Sequence, residues 1–93
     1  MTKYRMTMMH GKRGSEGQHD FEEEPGLLKH SAMTVLRRSL AAVEAAEGIG
    51  HMDFEANAAM KNEDKTVVTA MGCLVFHGED RQPFVAFISE RAS

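Results

Sequence analysis

The chain has one cysteine, two prolines and no tryptophan among its 93 residues, and only six residues in a hundred are aromatic. A lone cysteine excludes an internal disulfide framework, and it suits a reducing compartment. No apolar run approaches the roughly 20 residues that a membrane-spanning helix requires. Lys3 and Arg5 are not followed by the apolar core or small-residue cleavage site of a signal peptide. The expectation is therefore a cytoplasmic protein, bacterial or phage-borne. Large charge of either sign is also missing, the formal net charge being −3. That balance argues against nonspecific binding to duplex nucleic acid, which rests on neutralising phosphates. No nucleophile elbow, phosphate loop, dinucleotide fingerprint or metalloprotease helix occurs. Gly11-Lys12-Arg13-Gly14 has neither the spacing nor the following helix of a phosphate loop.

A chain of this length makes a single domain with a small core. Two segments in its last third stand out. Over residues 65–77, Val67, Met71, Cys73 and Val75 alternate with Val68, Ala70, Leu74 and Phe76. After Pro83, Phe84, Ala86 and Ile88 alternate with Val85 and Phe87. Both segments are apolar on both faces, whereas a sheet with one wet face alternates apolar and polar residues. Such a pair needs two covers.

The remainder supplies one. Residues 26–47 carry Leu28, Ala32, Met33, Leu36, Leu40 and Val43 at helical spacing. Pro25 suits the entry, Ser31 is an alternative N-cap for a shorter helix, and Gly48 followed by Ile49 fits a left-handed exit. Residues 3–10 read as a strand with Tyr4, Met6 and Met8 on one face and Arg5 and Thr7 on the other. Residues 51–60 alternate Met52, Phe54, Ala56, Ala58 and Met60 with Asp53, Glu55 and Asn57, which favours a strand with one wet face, although the alanine and glutamate content also suits a helix. Asn62, Glu63 and Asp64 make the next turn, and residues 78–82 another. Gly72 in mid-strand marks a bulge or a close approach of backbone. Residues 11–25, spaced by glycines and rich in charge, are expected to form a mobile linker with Phe21 as its only large apolar group. The sum is an α+β fold: a four-stranded antiparallel sheet in the order β-α-β-β-β, with one long helix on one face.

Candidate chemistry is sparse. Cys73 and His77 share a strand face, but four residues of strand span about 13 Å, beyond hydrogen-bond reach. A buried, inert thiol is the favoured reading of Cys73. Met6-Thr7-Met8-Met9-His10 offers soft-metal ligand types, yet a methionine-rich face is more often packing or a binding surface. The five histidines show no paired zinc spacing. No metal or cofactor is implied.

The candidate ligand or interface residues are Met71, Cys73, Val75, Phe76, Val85 and Phe87. Arg37 and Arg38 form a candidate polar surface for an acidic partner or phosphate, set against the simpler reading of a solvated helix face. Val67, Met71, Val75, Val85 and Phe87 are expected on one sheet face, with Leu74, Phe76, Phe84 and Ile88 on the other beside Leu36 and Leu40. Which set meets the helix is left open by the sequence. The leading functional expectation is a non-enzymatic association module, homodimeric through its sheet, with a further protein partner also conceivable. The second is a binder of small apolar ligands lined by methionines 6, 8, 33, 52, 60 and 71. The third and least favoured is an enzyme using Cys73 or a histidine.

Overall fold

A computed structural model describes residues 1–11, 15–48, 50–76 and 81–91. Residues 12–14, 49, 77–80 and 92–93, among them His77 and the stretch expected as a turn, lie outside the described residues, as do the side chains of Ser15, Glu16 and Phe76. Five strands and one α-helix follow in the order β1 (Thr2–His10), β2 (Ser15–Glu23), a 3-10 turn (Leu27–Lys29), α1 (Ala32–Glu47), β3 (Met52–Lys61), β4 (Val67–Phe76) and β5 (Gln82–Glu90). The strands form one antiparallel sheet in the order β2-β1-β5-β4-β3. The α+β architecture with a helix on an antiparallel sheet is as expected, but the sheet has five strands instead of four.

The extra strand is β2, in the stretch expected to be a mobile linker. It pairs with β1 along its whole length, Arg5 opposite Asp20 and Tyr4 opposite Phe21. An edge strand can be polar along most of its length, because solvent reaches both its outer face and its free edge. Here a single large apolar residue sets the register. Phe21 is buried and stacks on Tyr4 with ring centroids 5.7 Å apart. On the opposite face the Arg5 guanidinium meets Asp20 at 2.8 Å. Cross-strand pairs of these two kinds are what hold an otherwise hydrophilic strand in place.

The helix is shorter than the expected span of 26–47. Pro25 and Gly26 lead into the 3-10 turn, and Ser31, the alternative cap, is the one used: its hydroxyl accepts the Thr34 N–H. The Tyr4 hydroxyl donates to the Glu24 carbonyl at 2.6 Å, fixing the chain between β2 and the turn. At the far end Gly48 adopts φ 66° and returns its N–H to the Glu44 carbonyl. The buried stripe of α1 is Val35, Leu36, Ser39, Leu40 and Val43. Met33, expected within it, is exposed, since helical spacing sets it about 90° from the centre of the buried stripe.

The helix lies on the sheet face made by Tyr4, Met6, Met8, Val68, Ala70, Leu74, Phe84, Ala86 and Ile88, all buried. The face left open by the sequence is thereby assigned. Leu74, Phe84 and Ile88 lie beneath Leu36 and Leu40, while Met71, Val85 and Phe87 lie on the far side. The β3 strand bulges between Ala56 and Ala58, opposite Gly72 and Met71. The bulged backbone crosses close over Gly72, where an added Cβ would collide with the Glu55 carbonyl. Asn62 closes the following turn, its side-chain oxygen accepting from the N–H groups of Thr66 and Val67 at 2.8 and 2.9 Å.

Candidate functional site

Two features stand out once the helix is placed: an apolar sheet face that no described residue covers and a cavity at one end of the helix. The face is built by register. Met71 pairs with Ala58 on β3 and Val85 on β5, and Val85 pairs with Met9 on β1. One step along, Phe87 lies between Thr69 and Thr7, with Met60 beyond Thr69. Met60 is 58% exposed, Met71 45%, Met9 43% and Phe87 41%. Val75, Val85 and Cys73 are half-buried on the same side. Scattered apolar residues are ordinary on a protein surface, but a contiguous patch across four strands is not.

Ion pairs internal to the chain flank the patch. Toward β2, Asp20 accepts from Arg5 and, at 2.6 Å, from Arg91. The Arg5 hydrogen bond holds the Asp20 carboxyl below its usual range, and Asp20 in turn raises Arg5. Toward β3, Glu55 pairs with Arg81. The rim therefore carries both signs on each side of an uncharged middle.

The sequence-derived residues divide between these surroundings. Met71, Cys73, Val75, Val85 and Phe87 do share the open face. Cys73, expected to be buried, is only half covered and sits opposite Glu55 and Pro83. His10 and His19 belong to the helix side of the sheet, away from Cys73. Arg37 is exposed, while Arg38 is occupied within the chain. It holds Glu23 at 2.7 Å and Glu24 at 3.1 Å, and His30 meets the same Glu24 at 2.7 Å. This cluster ties α1 to the end of β2. Arg38 keeps the Glu23 carboxyl below its usual range; for Glu24 the His30 contact is the first cause and Arg38 the second. Met9 and Met60 belong to the open face but were not anticipated. Their side depends on which residue pairs with which across β5 and around the bulge, and neither is written in a single strand's alternation.

The cavity lies between α1 and the sheet, where β1 and β4 finish and β3 and β5 begin. Its volume is about 310 Å³. Met6 and Met8 of β1, Met52 of β3 and Leu74 of β4 line the floor, and Leu40 and Val43 of α1 the roof. Four polar side chains join this lining: His10, Gln82, His19 and Glu47. They contact one another in two pairs. His10 Nδ1 is 3.3 Å from Gln82 Oε1, and His19 Nδ1 meets Glu47 across the gap between β2 and the helix end. Methionines 6, 8 and 52 of the expected lining are present, whereas 33, 60 and 71 point elsewhere.

The Met6–His10 run does not act as one ligand set, because Met9 emerges on the opposite face from Met6, Met8 and His10. Among the described residues no group of three or more His, Cys, Asp or Glu side chains is placed to hold a metal ion. No described helix is long and apolar enough to cross a membrane. In comparison with known proteins, no family, no curated protein and no solved structure matches this chain.

Proposed function

We propose that this protein is a non-enzymatic association module that pairs its open sheet face with the same face of a second copy. The observation that supports the reading is the contiguous exposure of Met9, Met60, Met71 and Phe87 on the side of the sheet that the helix does not cover. At ~4.8 Å between strands and ~3.4 Å per residue, a sheet of five nine-residue strands offers a face of roughly 700 Å². A standard interface uses ~800 Å² from each partner. The face is therefore large enough, and its middle has the apolar, charge-depleted character of an interface core.

A second copy is a better occupant than a strongly charged partner. Arg5 with Asp20 and Arg81 with Glu55 are neutralised within each subunit, so neither flank presents a field of one sign. A two-fold pairing places a patch against itself, and an uncharged patch does not repel its own image. Methionines also adapt their shape to whatever packs on them. Stacked sheets settle about 10 Å apart with strands inclined by about 30°, which lets Met71 and Phe87 interdigitate with their counterparts.

The test is a charge placed in the middle of the patch. Phe87→Lys is expected to abolish self-association while leaving the helix side, and hence the circular dichroism spectrum and cooperative unfolding, intact. An unchanged mass distribution for Phe87→Lys would contradict the reading.

A further inference from the structure

The cavity under the C-terminal half of α1 has a chemistry of its own, on the opposite side of the sheet from the association face. We infer that it is a binding site for a small, uncharged aromatic molecule whose polar head donates a hydrogen bond, a phenol or aromatic alcohol in class.

Size and lining give the body of the ligand. About 310 Å³ is some ten times the share of one water molecule in the liquid, ~30 Å³, and lies at the lower end of ligand pockets, ~300–1,000 Å³. Waters in such a space need two to four polar partners each, and thioether and alkyl walls supply almost none. Met6, Met8 and Met52 converge on it from two strands. Thioether sulfur makes favourable contacts at the edges of aromatic rings and conforms to flat shapes. An aromatic body fits that lining better than a flexible chain does.

The polar side chains give the head. In His10 the nitrogen facing Gln82 Oε1 carries the proton, since an amide oxygen only accepts. In His19 the nitrogen facing the Glu47 carboxylate carries it for the same reason. In each ring Nε2 has no hydrogen-bond partner among the described residues and is open to a ligand head. The Glu47 carboxylate and the second lone pair of Gln82 Oε1 are acceptors. The Gln82 amide N–H groups are the donors beside these acceptors, so a hydroxyl head, which both donates and accepts, is matched on both counts, and a head that only accepts leaves the carboxylate and amide oxygens unmet. A carboxylate head would also face Glu47 directly, like charge against like charge.

The experiment uses the full chain labelled with 13C at its methionine methyl groups, titrated with 2-naphthol, with naphthalene and 2-naphthoate as comparators. Saturable shifts of the Met6, Met8 and Met52 methyls by 2-naphthol, with Met60 and Met71 unmoved, are expected. Naphthalene should bind more weakly by about tenfold, the worth of one hydrogen bond. Gln82→Leu should weaken 2-naphthol binding without weakening that of naphthalene. Val43→Phe, which fills the cavity from the helix, should abolish both.

Absence of saturable shifts up to millimolar 2-naphthol would overturn the site. Shifts confined to the open-face methionines would do the same. Binding of 2-naphthoate as tight as that of 2-naphthol would overturn the assignment of the head. These readouts come from the wild-type chain, so they stand even where a variant fails to fold.

Discussion

Gly72 is the residue on which the packing of β3 against β4 turns most sharply. The bulge at Ala56–Ala58 brings the Glu55 and Ala56 backbone over it, and a methyl group there has nowhere to go. Because the obstruction is backbone, relief requires the strands to part. Gly72→Ala is expected to lower stability by about 2–3 kcal/mol, the upper range for overpacking, in urea denaturation followed by circular dichroism. Ser39 makes the opposite case. It is fully buried on the inner face of α1, and its hydroxyl has no hydrogen-bond partner among the described residues. An orphaned buried hydroxyl costs ~1–3 kcal/mol, so Ser39→Ala should be neutral or stabilising by up to about 1 kcal/mol in the same assay. Gly72 was legible in the sequence, because glycine inside a strand of β-branched and aromatic neighbours has few other reasons to be there. Ser39 was not: a serine on a helix carries no sign of which way it faces until the sheet is in place.

At the scale of elements, the ion pairs that tie β2 to α1 and to β1 set the response to acid. The Glu23, Glu24 and Asp20 carboxyls all sit below their usual range in the folded chain, held by Arg38, by His30 and Arg38, and by Arg5 respectively. A carboxyl depressed on folding contributes stability above its ordinary value of ~4.3 for Glu and ~3.9 for Asp, and loses it as pH falls through the lower folded value. Stability is therefore expected to fall below about pH 4.5. Glu23→Gln should flatten part of that fall when urea midpoints are compared between pH 7 and pH 3. His51 has the reverse sign: its hydrogen bonds to Glu44 first and to Asp53 second raise it. Its contribution is present below its ordinary ~6.5 and is lost as pH rises through the raised folded value. It is exposed, so the effect is small. The elements themselves were unequally readable. β3 was found by strict alternation of Met52, Phe54 and Ala56 with acids, and α1 by its Leu36–Leu40–Val43 stripe. β2 was hidden because its pairing energy comes from Phe21 against Tyr4 and Asp20 against Arg5. These are contacts between two segments, and neither segment shows them alone.

At the scale of the whole molecule, one helix covers one face of a five-stranded sheet, and the other face carries apolar residues that no described segment covers. The two-sided apolar patterning of β4 and β5 is the sequence feature behind the expectation of a second cover. The registers of β1 and β3 then extended the patch to Met9 and Met60. Burying roughly 300 Å² of its apolar middle from each copy yields ~15 kcal/mol of gross hydrophobic free energy at ~25 cal/mol per Å². Association costs ~4–15 kcal/mol in lost freedom. The proposed dimer is therefore expected to be reversible and concentration-dependent, and insensitive to moderate salt because its middle is uncharged. Sedimentation equilibrium of the wild-type chain and of Phe87→Lys, from 1 to 100 μM, tests this most directly. Twice the chain mass for the wild type at the upper concentrations, and the single-chain mass throughout for the variant, is the predicted result. A wild-type chain that remains at its single-chain mass across that range would contradict it.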